Sequence, residues 1–245
     1  MPDDIPTVDV AAIRFENVTK SYGARPALQA LDLVVPRGVM FGLVGANGAG
    51  KTTLIKCLLD FCGFEAGDIR IFGTPSETTA ARARLAFLPE RFVPPYYLTG
   101  QDFLRFALRM YKLDYLRTQA ETMLEALDLE GEALTKPVHA FSKGMTQKLG
   151  LAACLLSARE LLVLDEPTSG LDPKARVLLK QQLRSARDRG TTVFFTSHAL
   201  ADVEELCDEM AVLHQGRLRY RGTPAGLKQR YERDALEQAY LACIA

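Results

Sequence analysis

Gly45-Ala46-Asn47-Gly48-Ala49-Gly50-Lys51-Thr52, followed by Thr53, matches G-x-x-x-x-G-K-[ST], the phosphate-binding loop. Glycines let the backbone wrap closely around phosphate oxygens and turn its N–H groups inward. A helix starting after Gly50 adds its positive end. Lys51 would reach the β- and γ-phosphates of ATP, and Thr52 would give its hydroxyl to Mg²⁺.

A second element supplies acids. Leu161-Leu162-Val163-Leu164-Asp165-Glu166 is an apolar run ending in two carboxylates. Two acids placed together at a strand end cost energy unless a cation or a function offsets them. Alone, such a pair could sit on a surface turn. After a phosphate loop, Asp165 would hold Mg²⁺ and Glu166 would face the γ-phosphate and polarise the attacking water. The two motifs together specify nucleotide hydrolysis.

The elements that must position these residues follow from periodicity. Val39 to Val44 is a short apolar run entering the glycine-rich turn, as expected of a buried strand. A helix is predicted from about Gly50 to Phe61, with Leu54, Ile55, Leu58 and Leu59 on one face. Strands are predicted at Ala11–Val18, Leu31–Val35, Ile69–Phe72, Leu85–Leu88, Leu161–Leu164, Thr191–Thr196, Met210–His214 and Arg217–Arg221, the last two flanking a Gln215-Gly216 turn. From about residue 92 to 158 the pattern turns helical, with one stripe of Phe103, Leu104, Ala107, Leu108 and Tyr111 and another of Met123, Leu124, Leu127 and Leu129. Pro94 and Pro95 mark the entrance; Pro137 precedes a helix starting near Ser142. Pro173 opens a helix that Gly190 closes. From Pro224 the tail reads as helical and charged, with Lys228–Asp234 a solvated face. The fold expected is α/β: a mainly parallel P-loop core, an antiparallel β subdomain and an inserted helical subdomain, within one domain over 1–245.

Further landmarks carry a resemblance. Phe141-Ser142-Lys143-Gly144-Met145-Thr146-Gln147-Lys148 resembles the signature segment of ATP-binding-cassette (ABC) ATPases, and lies shortly before the acidic strand as that family requires. Pro167-Thr168-Ser169-Gly170-Leu171-Asp172 resembles their D-loop, His198 their switch histidine, and Tyr22 the aromatic that stacks on adenine. The resemblance spans roughly residues 11 to 230. It implies that ATP sits on Gly45–Thr53 of one subunit and, in trans, against Ser142, Lys143, Gly144 and Met145 of a second. The D-loop residues Ser169, Gly170, Leu171 and Asp172 would lie at that dimer contact. Glu166, His198 and Lys51 would be catalytic, and Thr52, Asp165 and Glu90 would serve Mg²⁺. Each residue also has a local reading: Ser142 is a good helix N-cap, Ser-Tyr-Gly is a common turn, and a histidine after a strand can simply cap a helix.

The sequence departs from the family pattern twice. Lys143-Gly144 stands where glycine-glycine is usual, with Met145 in place of the closing glutamine, and Glu90 replaces a glutamine. Both variants resemble the exporter-type branch known as ABC-2, as does the closing segment Leu236–Leu241. Glu90 could bind water at Mg²⁺, or couple mainly to a membrane partner.

Bulk properties narrow the partners. Thirty basic residues face thirty acidic ones, so no broad grip on nucleic acid is expected. No apolar run reaches the ~18 residues needed to cross a bilayer, and Met1–Asp9 lacks the pattern of a secretory signal. A cytoplasmic protein is therefore expected, peripheral on the inner face of the membrane. The resemblance implies a second cassette, as a homodimer, and separate membrane-spanning permease subunits. A soluble or regulatory ABC ATPase is the alternative; one cassette without a long heptad run disfavours ribosome- or DNA-directed types. The five cysteines lack C-x-x-C spacing and read as small buried hydrophobes.

Overall fold

The computed structural model describes residues 11–245; the reading of Met1–Asp9 lies outside the described residues. The chain begins with β1 (Ile13–Tyr22), β2 (Arg25–Val35) and β3 (Met40–Val44), then α1 (Lys51–Leu58). β4 (Ala66–Ile71), β5 (Thr74–Pro75), α2 (Thr79–Arg82) and β6 (Leu85–Leu88) follow. Three helices come next: α3 (Gly100–Met110), α4 (Arg117–Ala126) and α5 (Lys143–Leu156). The α/β alternation then resumes with β7 (Leu161–Asp165), α6 (Pro173–Asp188), β8 (Thr192–Ser197) and α7 (Leu200–Leu206). The chain ends with β9 (Glu209–His214), β10 (Arg217–Gly222), α8 (Pro224–Arg230) and α9 (Leu236–Ile244).

Two sheets result. The larger has the order β10-β9-β3-β8-β7-β6, parallel except for β10 against β9. The smaller, β2-β1-β4-β5, is antiparallel. The central strands are apolar throughout because both faces of the larger sheet are covered. Alternation then sorts their side chains between two cores. In β3, Met40 and Val44 pack with the helical segment, whereas Phe41 and Leu43 pack toward the antiparallel sheet and α1. β7 repeats this, with Leu162 and Leu164 on the helical side and Leu161 and Val163 on the other. Phe41 and Phe194 stack at 6.0 Å between centroids in the second core.

The three helices between β6 and β7 bury the two apolar stripes, including Phe103, Leu104, Leu124, Leu127 and Leu129. α5 leads from them into β7. Buried Lys148 donates to the Asp128 carbonyl at 2.7 Å, and Lys174 of α6 reaches the Asp128 carboxylate at 2.6 Å. Gly150 has no side chain where Leu88 and Phe92 pack; a Cβ there would lie 2.6 Å from Leu88 Cδ1 and 2.8 Å from Phe92 Cδ1.

Several elements differ from the sequence expectation. β1 and β2 extend past Val18 and begin before Leu31. Helix α1 ends at Leu58, three residues short of Phe61. α2, α7 and β5 were not anticipated. The charged stretch Lys228–Asp234 is not one helix: α8 stops at Arg230, and a turn leads to α9. The Gln215-Gly216 turn has both residues at positive φ (49° and 74°), the conformation that joins antiparallel strands tightly.

Candidate nucleotide site

The phosphate loop is the connection from β3 to α1. Its backbone demands glycine at two points. A Cβ at Gly45 would collide with the Leu213 carbonyl of β9, and one at Gly50 (φ 113°) would lie 2.6 Å from the Ala27 carbonyl of β2. Gly45 therefore lets the loop leave the sheet, and Gly50 lets α1 start hard against the antiparallel sheet. Ala49 is buried, while Ala46, Asn47, Gly48, Gly50, Lys51, Thr52 and Thr53 line an open cleft of about 760 Å³. Lys51 runs along the loop, its ammonium donating to Gly45 O at 2.6 Å and Ala46 O at 3.4 Å.

The same cleft receives Glu90 after β6, Asp165 at the end of β7 with Glu166 just after it, and His198 after β8. These strands are parallel, so their C-terminal ends open on one edge, where ligands bind in doubly wound sheets. Asp165 is buried. Its Oδ1 accepts from the Thr196 hydroxyl at 2.6 Å, and its Oδ2 lies 3.4 Å from the Thr52 hydroxyl. Burial pushes its carboxyl up, the Thr196 hydrogen bond opposes the shift, and the nearby Glu90 charge adds to it.

Glu166 is only 6% exposed and has φ 50°, a conformation that costs a non-glycine residue of order 1 kcal/mol or more. Two bonds hold it there: its N–H donates to Thr196 Oγ1 at 2.9 Å, and its Oε2 accepts from the His198 N–H at 3.3 Å. His198 Nδ1 lies 2.8 Å from the same Oε2, with the ring largely exposed. Thr196 thus serves both acids at once. Sequence reading placed it in a strand and gave it no role; its position directly before Ser197-His198, on the strand beside the acidic one, is the signal that could have found it.

The oxygen donors suit Mg²⁺. The Thr52 hydroxyl and Asp165 Oδ2 face each other at 3.4 Å, and Glu90 lines the same wall; a hard dication takes such ligands alongside phosphate oxygens and water. Among the described residues no three His, Cys, Asp or Glu side chains form a self-sufficient metal cluster. The donor set fits an ion that arrives with its nucleotide.

Asp165→Asn provides a check on this electrostatic picture. Because the folded-state pKa of Asp165 lies above its unfolded value, its carboxylate destabilises the ligand-free protein above that pKa. The variant is expected to melt at a higher temperature than wild type at pH 7 without nucleotide. The advantage should shrink as pH falls through the raised pKa toward the ordinary Asp range. A variant that is less stable at pH 7 would contradict it.

Tyr22 closes β1 beside the cleft, paired with Arg25 across a Gly23-Ala24 turn. Tyr22 is 51% exposed. Its phenol lies 3.8 Å from Cys62 Sγ and beside the Thr53 hydroxyl. Arg25, Pro26 and Ala27 of β2 complete this wall, residues the sequence did not mark. Tyr240 of α9 was also unmarked: burial raises its phenol, opposed by the Ala46 backbone N–H, which places the tail against the phosphate loop.

The signature and D-loop residues do not line this cleft. Ser142 caps α5 by accepting from Met145 N at 3.2 Å. Asp172 caps α6 by accepting from Ala175 N at 2.9 Å, and that bond holds its carboxyl below the usual range. Leu171 is buried and Ser169 half-buried. Gly144 packs near the Gly170 carbonyl, and the Lys143 stem lies beside Gly170 (φ 76°), so the two segments form one surface.

Comparison with known proteins gives these features a context. The family model described as ABC transporter matches residues 28–169. The Nod factor export ATP-binding protein I of Paraburkholderia xenovorans is 38% identical over 222 residues, which cover 89% of this chain and 72% of that protein. An ABC transporter ATP-binding protein of Nostoc sp. is 39% identical over 196 residues, 78% of this chain and 58% of the other. A solved ATP-binding subunit of an ABC transporter superposes with a TM-score of 0.87 at 31% identity, covering 95% of this chain and 99% of that one. With a phosphate loop, two buried acids and a histidine gathered at one sheet edge, the chain belongs to the ABC transporter family, as one of its ATP-binding, ATP-hydrolysing subunits.

Proposed function

We propose that this chain works as one of two identical cassettes that close around two molecules of Mg²⁺-ATP and drive export through membrane-spanning subunits carried on other polypeptides. The observation that carries the reading is a division of the site. One cleft holds the phosphate loop, both acids and His198, while the Ser142 helix end and the D-loop lie on a separate surface of the same chain. A helix N-terminus offers N–H donors and positive potential to an anion. Its natural complement is the γ-phosphate in the cleft of a second copy.

Within that arrangement Tyr22 stacks on adenine, residues Gly45–Thr53 wrap the phosphates, and Thr52, Asp165 and Glu90 hold Mg²⁺, which neutralises phosphate charge. Glu166 accepts a proton from the attacking water, and His198 holds water and γ-phosphate in line. Little else is needed, because phosphoryl transfer is catalysed mainly by positioning and charge. Hydrolysis removes the phosphate bridge and lets the cassettes part.

The segment after Glu90 suits the relay to the membrane. Phe92 packs edge-on against Phe103 of α3 at 5.4 Å, so movement at Glu90 reaches the helical segment directly. Val93, Tyr96 and Tyr97 are exposed apolar groups on the same stretch. Among the described residues no helix is long and apolar enough to cross a membrane. Export follows the naming of the relatives and the ABC-2 pattern of Lys143, Met145 and Glu90. The cassette would then sit on the cytoplasmic face, with no nucleic-acid partner.

Tagging the chain, solubilising membranes gently and identifying what co-purifies tests the reading. A polytopic membrane protein in fixed ratio, which stimulates ATPase activity when reconstituted, is the expected outcome. Recovery only in soluble form, alone or with ribosomes, would overturn the transport assignment while leaving the ATPase intact.

A further inference from the structure

Helix α1, which starts at the phosphate loop, does not end on glycine. Leu59 is its C-cap, and Asp60 takes the left-handed conformation at φ 60°. Asp60 N donates to Cys57 O at 3.1 Å and Phe61 N to Lys56 O at 2.8 Å, the paired bonds of a Schellman turn. An Arg82 ion pair at 2.9 Å secures Asp60. The turn reverses the chain and brings Cys62 back over Cys57, with the two sulfurs 3.7 Å apart. Cys62 is half-buried and Cys57 buried. The Cys62 sulfur also lies 3.8 Å from the Tyr22 phenol. The other three cysteines sit in α5, after α7 and in α9.

We propose that Cys57 and Cys62 form an oxidisable dithiol, closed by hydrogen peroxide to an intramolecular disulfide that releases Tyr22 and weakens ATP binding. The effect on ATP rests on the reading of Tyr22 as the adenine platform.

The chemistry balances as follows. The Cys62 thiolate attacks one oxygen of hydrogen peroxide; an S–O bond forms, the O–O bond breaks, and the departing hydroxide takes up the proton the thiol released, leaving as water and giving a sulfenic acid at Cys62. The Cys57 sulfur then attacks Cys62 Sγ; the S–S bond forms, the S–O bond breaks, and the hydroxyl departs with the Cys57 proton as a second water. Two thiols lose two electrons and two protons, and one peroxide becomes two waters. Cys62 reacts first because peroxide can reach it. Burial pushes the Cys57 thiol up to about 12, so its attack sets the rate of closure. The sulfurs must approach by only about 1.7 Å to reach a disulfide length of about 2.0 Å. Closure turns the Cys62 sulfur that accepts from the Tyr22 hydroxyl into a disulfide sulfur, a poorer acceptor, and leaves the phenol with Thr53 of the phosphate loop as its hydroxyl neighbour.

The test uses the full-length protein. It is treated with hydrogen peroxide, quenched, and mapped by non-reducing peptide mass spectrometry; affinity for a fluorescent ATP analogue is read before and after, and again after dithiothreitol. Expected are a Cys57–Cys62 link, an affinity ~3–10-fold weaker, since base–aromatic stacking is only partly lost, and recovery on reduction. Cys62→Ser, read against its own untreated affinity, should ignore peroxide. Failure to form the link, or a peroxide effect that persists in Cys62→Ser, overturns the proposal. Tyr22→Ala separates the two ideas. If it weakens ATP binding but the disulfide does not, the switch is wrong. If Tyr22→Ala and the disulfide both leave ATP binding unchanged, the adenine reading fails and the switch fails with it.

Discussion

Glu166→Gln is expected to bind ATP as wild type does, to hydrolyse it ~10²–10⁴-fold more slowly, the range ascribed to a positioned general base, and to accumulate as an ATP-dependent dimer. The geometry separates these effects. Glu166 does not belong to the phosphate loop; its carboxylate stands beside the loop, pairing with His198 Nδ1 at 2.8 Å. Glutamine keeps the shape, and the backbone bond from Glu166 N to Thr196 does not depend on the side chain. What is lost is the ability to accept a proton from water. On the reading proposed above, affinity comes from Lys51 and the loop amides and should stay. If ATP joins two cassettes through the Ser142 helix end, slow hydrolysis keeps them joined. Size-exclusion chromatography with ATP and a phosphate-release assay measure both quantities. A variant that stays monomeric at high ATP and protein concentration would rule out the shared site. Wild-type turnover would remove Glu166 from the role of base.

The parts of the site that a reader of the sequence could place are those written locally. The phosphate loop is a contiguous string whose glycines answer to two specific backbone clashes. The acidic pair ends an apolar run, so its place at the edge of a buried strand follows from burial alone. Thr196 is different. Its role depends on β8 lying beside β7, with Asp165 paired to Thr196 in register, and no local pattern encodes that adjacency. The wall from Arg25 to Ala27 was hidden for another reason. Register shifts between Phe15 and Ser21, with Asn17 and Ala30 at positive φ, break the period-two alternation, so only the regular half of β2 could be read. The end of α1 was misplaced because Asp60 performs the turn that glycine normally signals. α7 has seven residues and no side-chain cap, so neither length nor a start signal marks it. Long-range register and non-glycine caps account for most of what was missed.

Lys51→Ala is expected to abolish useful ATP binding, lowering affinity by ~10²-fold or more, while leaving the fold intact. The magnitude follows from what is removed: hydrogen bonds between a cation and phosphate are worth roughly 1.5–3 kcal/mol each, and this ammonium would make more than one. Binding energy from the adenine side does not compensate, since Tyr22 is half-exposed and contributes stacking only. Stability behaves differently. Lys51 opens α1, where alanine is the better helix former. Lys51 is buried, but its bonds to Gly45 O and Ala46 O border the open cleft, into which water can follow the lost ammonium. Thermal melting should therefore stay close to wild type without nucleotide, while the ATP-induced rise in melting temperature disappears. Calorimetric titration of ATP into the variant, beside its melting curve, separates the two. Loss of both would mean that Lys51 holds the loop rather than the nucleotide. Wild-type affinity in a folded variant would sink the assignment of this cleft to ATP.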